Sequence, residues 1–233
     1  MQVAAPGCGL GFCVAMAKES RAVVQVFAKA PQPGEVKTRL IPVLGADNAA
    51  ELHCRLVRHT LGTVAIARVG SAEIWTTPPA DSAFLQVCKR LLGLPILMQP
   101  EGDIGARMSH AVRDGLSRGS SVLLLGTDVP CLDHEDLRAA HRALLDGADA
   151  VLGPAEDGGY WLIGLRRHDP ALFEAIPWST SAVLEHTRQR LRSLGWRWHE
   201  LPARWDLDRP EDLMRTAADP RLASLIADLM QPA

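Results

Sequence analysis

Short apolar runs alternate with stretches of helical periodicity along most of this chain. Seven runs have the length and apolar character of strands, at residues 22–28, 72–77, 95–98, 122–125, 150–153, 160–165 and 196–200. Apolar residues at three- and four-residue spacing predict helices near residues 46–68, 81–92, 103–116, 133–145, 180–194 and 210–217. This alternation predicts an α/β fold, a three-layer α/β/α sandwich around a mostly parallel mixed sheet.

No repeat or low-complexity tract divides the chain. We therefore expect one domain over residues 21–233, preceded by a flexible extension at residues 1–20. The extension contains Gly7, Gly9 and Gly11, a G-x-G-x-G run that suggests a dinucleotide-binding loop. Such a loop must follow a strand, and no strand-like run precedes Gly7, so a flexible linker is the better interpretation.

The composition excludes several classes of protein. Hydrophobic residues make up 47% of the chain, which excludes general disorder. The formal net charge of −2, from 25 basic and 27 acidic residues, argues against a protein that coats nucleic acid. Five scattered cysteines without a C-x-x-C pair indicate reduced thiols in the cytoplasm, and no apolar run is long enough to span a membrane. A homodimer stays open as an alternative to a monomer.

Ligands of open α/β sheets bind outside the carboxyl ends of the strands, so the loops at these ends are the candidate sites. The loop after the first strand carries three cations, Lys29, Lys37 and Arg39, and bends at Gly34. Phosphates are bound by fixed positive charge and by the two-pronged guanidinium of arginine. A solvated basic loop is the alternative interpretation, but the position directly after a strand favours phosphate binding.

Acidic residues follow another predicted strand and recur near the end of the chain. Asp128 comes directly after the apolar run 122–125, and Asp206 and Asp208 flank Leu207. In an extended segment two residues that alternate in this way face the same side, and two carboxylates placed together favour a cation between them. We interpret all three as ligands of Mg²⁺ or Mn²⁺. For Asp128 the alternative is a cap of the following helix.

A glycine-rich segment between two predicted strands contributes a further set of candidates. Gly158 and Gly159 permit close approach of a ligand, although a hairpin turn explains them as well. Tyr160 and Trp161 would stack on a base or a sugar ring in an acceptor pocket. Asp157 is either a turn residue or a catalytic carboxylate.

Two candidates lie outside these segments. Arg107 is in a glycine-bracketed loop that opens a helix, where it would reach a phosphate. Trp178 precedes the predicted helix at residues 180–194, where it would line the acceptor pocket.

Four motifs together resemble a known family: F-A-K-A-P-Q-P-G-E-V-K-T-R-L, L-L-L-G-T-D-V-P, E-D-G-G-Y-W-L-I-G-L and W-D-L-D-R-P-E-D-L. In this order they resemble bacterial glycosyltransferases of the nucleotide-diphospho-sugar transferase (glycosyltransferase-A) fold, some of which are assigned to arsenosugar biosynthesis. The first and last motifs also resemble 2-phospholactate and molybdenum-cofactor guanylyltransferases. The chain lacks the G-x-G-T-R opening of sugar nucleotidyltransferases and the D-x-D that many glycosyltransferases have at the position of Asp128.

The resemblance implies a metal-dependent transferase that takes a nucleotide sugar or a nucleoside triphosphate as donor and a small molecule as acceptor. Lys29, Lys37 and Arg39 would hold phosphates, and the three aspartates would hold the metal. In glycosyl transfer, which we favour, Lys29 would assist departure of the diphosphate and Asp157 would act as general base. Nucleotidyl transfer to a phosphorylated acceptor, and a non-catalytic nucleotide-binding module, are the alternatives.

Overall fold

A computed structural model of the chain describes residues 21–78 and 82–230. Its seven strands are β1 (Ala22–Phe27), β2 (Gly70–Thr76), β3 (Ile96–Met98), β4 (Ser121–Leu125), β5 (Ala150–Pro154), β6 (Tyr160–Leu165) and β7 (Trp198–Glu200). The helices are α1 (Ile41–Ala67), α2 (Ala83–Leu92), α3 (Ile104–Arg118), α4 (His134–Leu145), α5 (Val183–Ser193) and α6 (Pro210–Ala218), with short 3₁₀ turns between some of them.

All seven strands form one sheet in the order β3-β2-β1-β4-β6-β5-β7. Strand β6 runs antiparallel to both of its neighbours, and every other pairing is parallel. From β1 the chain crosses to β2 on one side and later returns to β4 on the other. The carboxyl ends of β1 and β4 therefore flank the point at which the strand order reverses, where ligands of such sheets bind.

The central strands are buried on both faces, which explains their continuous apolar runs. In β4, Leu123 and Leu125 belong to an apolar cluster with residues of α1, α2 and α4, whereas Val122 and Leu124 belong to a second cluster with residues of α3 and α5. All four of these side chains are buried. The helices thus cover both faces of the sheet, and the expected three-layer α/β/α sandwich is confirmed.

A third apolar cluster forms beside the sheet and holds the acidic segment near the end of the chain. Leu207 is completely buried there between Asp206 and Asp208 and packs among leucines of α1 and α6. The guanidinium of Arg55, on α1, binds both carboxylate oxygens of Asp228 at 2.6 and 2.8 Å. Trp205 and Leu213, on either side of the acidic segment, belong to the same cluster as Leu207, so apolar packing holds this segment.

The element boundaries differ little from those predicted, with one informative exception. Helix α1 begins five residues earlier than the predicted helix, at Ile41, and is interrupted at Gly45, whose φ of 78° is not helical. The predicted extension at residues 1–20, with Gly7, Gly9 and Gly11, lies outside the described residues. No helix in the described part of the chain is both long enough and apolar enough to span a membrane.

Candidate functional site

A cavity of about 440 Å³ opens at the carboxyl ends of β1 and β4. The loops after these two strands form two of its walls, and the first turn of α3 forms a third. The candidate residues that line it are Lys29, Lys37, Arg39, Arg107, Asp128 and Asp208. The structure thus brings together residues that lie up to 179 positions apart, as Lys29 and Asp208 do in the sequence.

Lys37 occupies the floor of this cavity in an unusual backbone conformation. Its φ of 47° and ψ of 40° are left-handed, and its side chain is only 3% exposed. The ammonium donates to Asp128 Oδ1 at 2.5 Å and to the carbonyl oxygen of Leu207 at 2.7 Å. Lys37 therefore joins the loop after β1, the loop after β4 and the acidic segment, and its charge is compensated by the ion pair with Asp128.

Asp128 keeps half of its side chain open to the cavity although one oxygen is bound by Lys37. Burial would raise the pKa of this carboxyl, but the charge and hydrogen bond of Lys37 prevail and lower it. The alternative role as a helix cap is wrong, because Asp133 caps α4 and forms a capping box with Asp136. Asp128 is thus an ionised carboxylate with a free oxygen, which suits a hard cation.

Asp206 has the opposite electrostatic environment. Burial, followed by the charges of Asp128 and Asp157, raises its pKa from 3.8 to about 7, and Lys37 opposes this only in part. Its carboxyl therefore lies among like charges, and within residues 21–78 and 82–230 no ion pair joins it to a cation. Asp208 differs, because it forms an ion pair with the exposed guanidinium of Arg39. The predicted phosphate ligand Arg39 and the predicted metal ligand Asp208 thus bind each other.

Two cations of the cavity have no side-chain partner among residues 21–78 and 82–230. Lys29 is exposed, and its carbonyl oxygen accepts a hydrogen bond from Nε2 of the buried His53 at 3.1 Å. Burial lowers the pKa of His53, so this contact is made by a neutral imidazole. Arg107 extends from α3, whose N-cap is Asp103, and its Nε is buried without a hydrogen-bond partner. Lys29 and Arg107 both line the cavity and are the free charges for phosphate groups.

The two glycines of the β5–β6 turn serve the fold of the turn itself. Gly158 has a φ of 90°, and a Cβ there would collide with the backbone of Ser181, just before α5. The Gly159 N–H donates to Asp157 Oδ1 at 2.8 Å, so this oxygen stabilises the turn, as one of the two interpretations of Asp157 predicts, and Oδ2 is left for the other. The close approach that Gly158 permits is to Ser181, and the paired glycines contribute nothing to the cavity lining.

The three aromatic candidates have different surroundings. Trp161 is 5% exposed and packs against Gly153 in the core, so its expected place in an acceptor pocket is wrong. Tyr160 is partly buried, and its hydroxyl contacts Met108 Sδ at 3.8 Å.

Trp178, the third aromatic candidate, lies beside the start of α3. Its indole packs on Gly105, two residues before Arg107, where a Cβ would overlap the ring. Trp178 thus lies beside the first turn of α3, the turn that carries Arg107.

The donor set of the site fits a metal that takes few protein ligands. Within the described ranges, no three histidine, cysteine, aspartate or glutamate side chains form a group that could hold a metal ion. Asp128 and Asp206 offer two hard oxygen ligands whose charges act on each other. Mg²⁺ and Mn²⁺ are commonly bound by one or two carboxylates together with phosphate oxygens and water. A metal here would therefore complete its coordination with water, and with phosphate oxygens when a ligand is bound.

Sequence reasoning missed several residues of the cavity wall, among them Phe27, Thr77 and Gln99. Each of them ends a strand or follows one within one residue: Phe27 closes β1, Thr77 follows β2 and Gln99 follows β3. The rule that ligands bind at the carboxyl ends of strands would have found them. Their ordinary residue types concealed them, because none carries a charge.

The family of the chain follows from sequence comparison. Residues 60–180, just over half of the chain, match the model of DUF2064, described as an uncharacterized protein conserved in bacteria. The chain belongs to the DUF2064 family. No protein of curated function matches it significantly.

Solved structures confirm the fold of this DUF2064 member. It is similar to a crystal structure of a protein from Desulfovibrio desulfuricans G20, named as a proposed nucleotide-diphospho-sugar transferase. The two share 31% identity and superpose with a TM-score of 0.78, over 91% of this chain and 97% of the other. The nucleotide-diphospho-sugar transferase fold expected from the motifs is thus confirmed.

More distant structures share the fold at lower identity. The inositol-1-phosphate CTP transferase of T. maritima is 12% identical with a TM-score of 0.54, over 92% of this chain and 98% of its own. Glucosyl-3-phosphoglycerate synthase of Mycobacterium tuberculosis, solved with Mn²⁺ and uridine diphosphate, is 13% identical with a TM-score of 0.51, over 100% and 88%. One fold thus contains enzymes named for nucleotidyl transfer and for glycosyl transfer.

Proposed function

We propose that this DUF2064 protein is a divalent-metal-dependent glycosyltransferase that transfers a sugar from a nucleotide-diphospho-sugar to a hydroxyl group of a small molecule. The observation that carries this proposal is the cavity between β1 and β4. Two cations, Lys29 and Arg107, and the carboxylate of Asp128 line it. Asp206 does not line it, but its carboxyl is close enough to Asp128 for the two charges to act on each other. The Desulfovibrio protein, at 31% identity, is named as a proposed transferase of nucleotide-diphospho-sugars, which supports the same conclusion.

The charges of the cavity favour a diphosphate over a larger anion. Lys37 forms an ion pair with Asp128 and Arg39 forms one with Asp208. Of the cationic side chains that line the cavity in the described part of the chain, Lys29 and Arg107 remain for the donor. Two cations and one divalent metal suit the diphosphate of a nucleotide sugar. A triphosphate together with a phosphorylated acceptor would bring about three times the negative charge into the same site, where unpaired charge is costly.

The metal would be held by Asp128 and Asp206 and by the diphosphate of the donor. When bound, it supplies positive charge for the oxygens of the departing diphosphate. Lys29 and Arg107 bind the same phosphates from the two side walls of the cavity and so orient the donor. The left-handed Lys37 keeps Asp128 ionised and in place, because its ammonium is fixed by the Leu207 carbonyl as well.

Asp157 is the carboxylate that we assign as general base. In the reaction, the acceptor hydroxyl loses its proton to Asp157 and its oxygen bonds to the sugar carbon, while the bond from that carbon to the diphosphate breaks. The exposed side chain keeps one oxygen free, since only Oδ1 accepts the Gly159 N–H. The charge of Asp157 acts on Asp206, so the base lies close to the metal-binding carboxylate.

Nucleotidyl transfer is the second candidate function. The specific observation in its favour is the pair of opposed cations, Lys29 and Arg107, on walls that would also hold the phosphates of a nucleoside triphosphate. The inositol-1-phosphate CTP transferase of T. maritima shares the fold of this chain, which is consistent with this candidate. The charge balance described above makes it the weaker candidate.

Thermal unfolding with a panel of nucleotide sugars and nucleoside triphosphates, each with Mg²⁺, Mn²⁺ or neither, separates the two functions. A ligand at a hundred times its Kd stabilises the folded state by about 2.7 kcal/mol, which raises the Tm of a chain of this size by about 5–10 °C. We expect a metal-dependent increase with one nucleotide sugar and little with its triphosphate. The reverse result would establish nucleotidyl transfer, and no metal-dependent increase with any nucleotide would refute both.

Two variants test the residue assignments in the same assay. Asp128→Asn should abolish the metal-dependent part of the Tm increase, and Lys29→Met should reduce the increase with and without metal. Asp47→Asn, an exposed aspartate on α1, is the matched control and should behave as the wild type. A full metal-dependent increase in Asp128→Asn would remove Asp128 from the site.

A further inference from the structure

Arg215 lies on α6 and does not line the cavity, yet its guanidinium contacts two segments of the site. Its Nη1 and Nη2 donate to the two carboxylate oxygens of Glu156 at 2.7 and 3.0 Å. The same guanidinium lies 4.5 Å from the ring centre of Trp205 in a cation–π contact. A single side chain thus binds the β5–β6 turn and the acidic segment at once.

Each partner of Arg215 directly precedes an acidic residue of the site. Glu156 is followed by Asp157, and Trp205 is followed by Asp206. The backbone of the two segments is also joined, because the Glu156 N–H donates to the carbonyl of Arg204 at 2.9 Å. Holding the two preceding residues fixes where the next two side chains begin.

We infer that Arg215 is a positioning residue that sets the separation between the Asp157 and Asp206 carboxylates. Two like charges repel, and the two contacts of Arg215 act as a clamp that adds to the backbone hydrogen bond in holding the turn against the acidic segment. The clamp is outside the cavity and therefore does not compete with a ligand. This inference rests on the proposed function only in treating Asp157 and Asp206 as one site, and the position of the turn is measurable without any ligand.

The exposure of the ion pair allows its positional effect to be measured apart from stability. The side chains of Arg215 and Glu156 are 47% and 51% exposed, and ion pairs at that exposure contribute little to the free energy of unfolding. Loss of Arg215 should therefore leave the Tm nearly unchanged. A large change in metal affinity at constant Tm would then reflect geometry.

The experiment compares Arg215→Met and Arg215→Lys with Arg221→Met in the full chain. Arg221 is the control, since it binds Asp219 through Nε and Nη2 at 3.1 and 2.7 Å and does not line the cavity. Two quantities are measured: Mn²⁺ affinity by electron paramagnetic resonance of the metal alone, and hydrogen exchange of the Glu156 and Gly159 amides without metal.

We expect Arg215→Met to weaken Mn²⁺ binding at least fivefold and to speed exchange of both amides at least fivefold, with a smaller effect in Arg215→Lys and none in Arg221→Met. Adding Glu156→Gln to Arg215→Met should cause no further loss, because Arg215 acts through Glu156. Unchanged exchange in Arg215→Met overturns the inference, as does wild-type Mn²⁺ affinity in that variant.

If the wild type binds no Mn²⁺, either alone or with a nucleoside diphosphate, the metal dependence of the proposed function fails. Exchange of the Glu156 and Gly159 amides then decides alone whether Arg215 positions the turn, with faster exchange supporting the inference and unchanged exchange refuting it.

Discussion

The raised pKa of Asp206 predicts that this residue destabilises the metal-free protein at neutral and alkaline pH. The substitution Asp206→Asn tests this prediction, because it removes the charge and keeps the shape of the side chain. In the folded state the carboxyl titrates near pH 7, because it is buried beside Asp128 and Asp157. In the unfolded chain it would titrate near its ordinary value of 3.8.

The sign and size of the effect follow from proton linkage. A raised folded-state pKa contributes stability that is fully present below the unfolded pKa and is lost as the pH rises through the folded pKa. Each tenfold difference in proton affinity between the folded and unfolded states corresponds to about 1.4 kcal/mol. For pKa values of 3.8 and about 7, the loss between pH 5 and pH 8 is roughly 2–3 kcal/mol. Because asparagine does not titrate, the Asp206→Asn variant does not lose this stability.

Urea unfolding of wild type and variant at pH 5 and pH 8, with EDTA present, measures the effect. We expect Asp206→Asn to gain stability over the wild type by about 2–3 kcal/mol between these pH values. The exposed Asp47→Asn should show no such pH-dependent gain. At pH 8, with Mn²⁺ in place of EDTA, the metal should stabilise the wild type more than Asp206→Asn and so reduce the difference in their free energies of unfolding.

If the difference in free energy of unfolding between wild type and Asp206→Asn does not change with pH, the folded-state pKa of Asp206 is not raised and the prediction is wrong. This result would mean that Asp206 is ionised in both states at pH 5 and does not lie among like charges.

Three further substitutions test other parts of the structure by urea unfolding. Lys37→Met should lower the free energy of unfolding by about 2 kcal/mol, less than the 3–5 kcal/mol typical of breaking a fully buried ion pair, because Asp128 is half exposed. An unchanged free energy of unfolding would contradict a stabilising role for the Lys37–Asp128 ion pair. Gly158→Ala should cost about 2–4 kcal/mol, since alanine disfavours a φ of 90° and its Cβ collides with Ser181; wild-type stability would show that the turn relaxes freely. Leu123→Ala, at a completely buried position, should cost about 2–5 kcal/mol without changing nucleotide binding; a selective loss of binding would contradict its structural role.

The strands and helices were predictable because burial on both faces of a parallel sheet imposes continuous apolar runs such as that of β4. The start of α1 was not, because its first turn contains Pro42 and the break at Gly45, which interrupt the helical pattern. Interactions with the third apolar cluster hold Leu40 and Leu44 in place on either side of Ile41. Such support comes from residues far away in the sequence.

The candidate cations and carboxylates were also predictable by type and by position after strands, but their partners were not. The sequence places Lys37 and Arg39 in one basic loop, whereas in the structure Lys37 forms an ion pair with Asp128 and Arg39 forms one with Asp208. Trp161 shows the same limit, since its neighbour Tyr160 alternates with it across the sheet and only packing decides which face is core.

The sequence by itself thus determined the fold class and the set of charged residues near the strand ends, because local periodicity and residue chemistry are written in neighbouring positions. Only the tertiary structure decided which cations remain free, Lys29 and Arg107, and which carboxylate lies among like charges, Asp206. Ion pairing and electrostatic environment depend on distances of a few ångströms between side chains. These side chains come from distant parts of the sequence, as do Lys37 and Leu207, which are 170 positions apart.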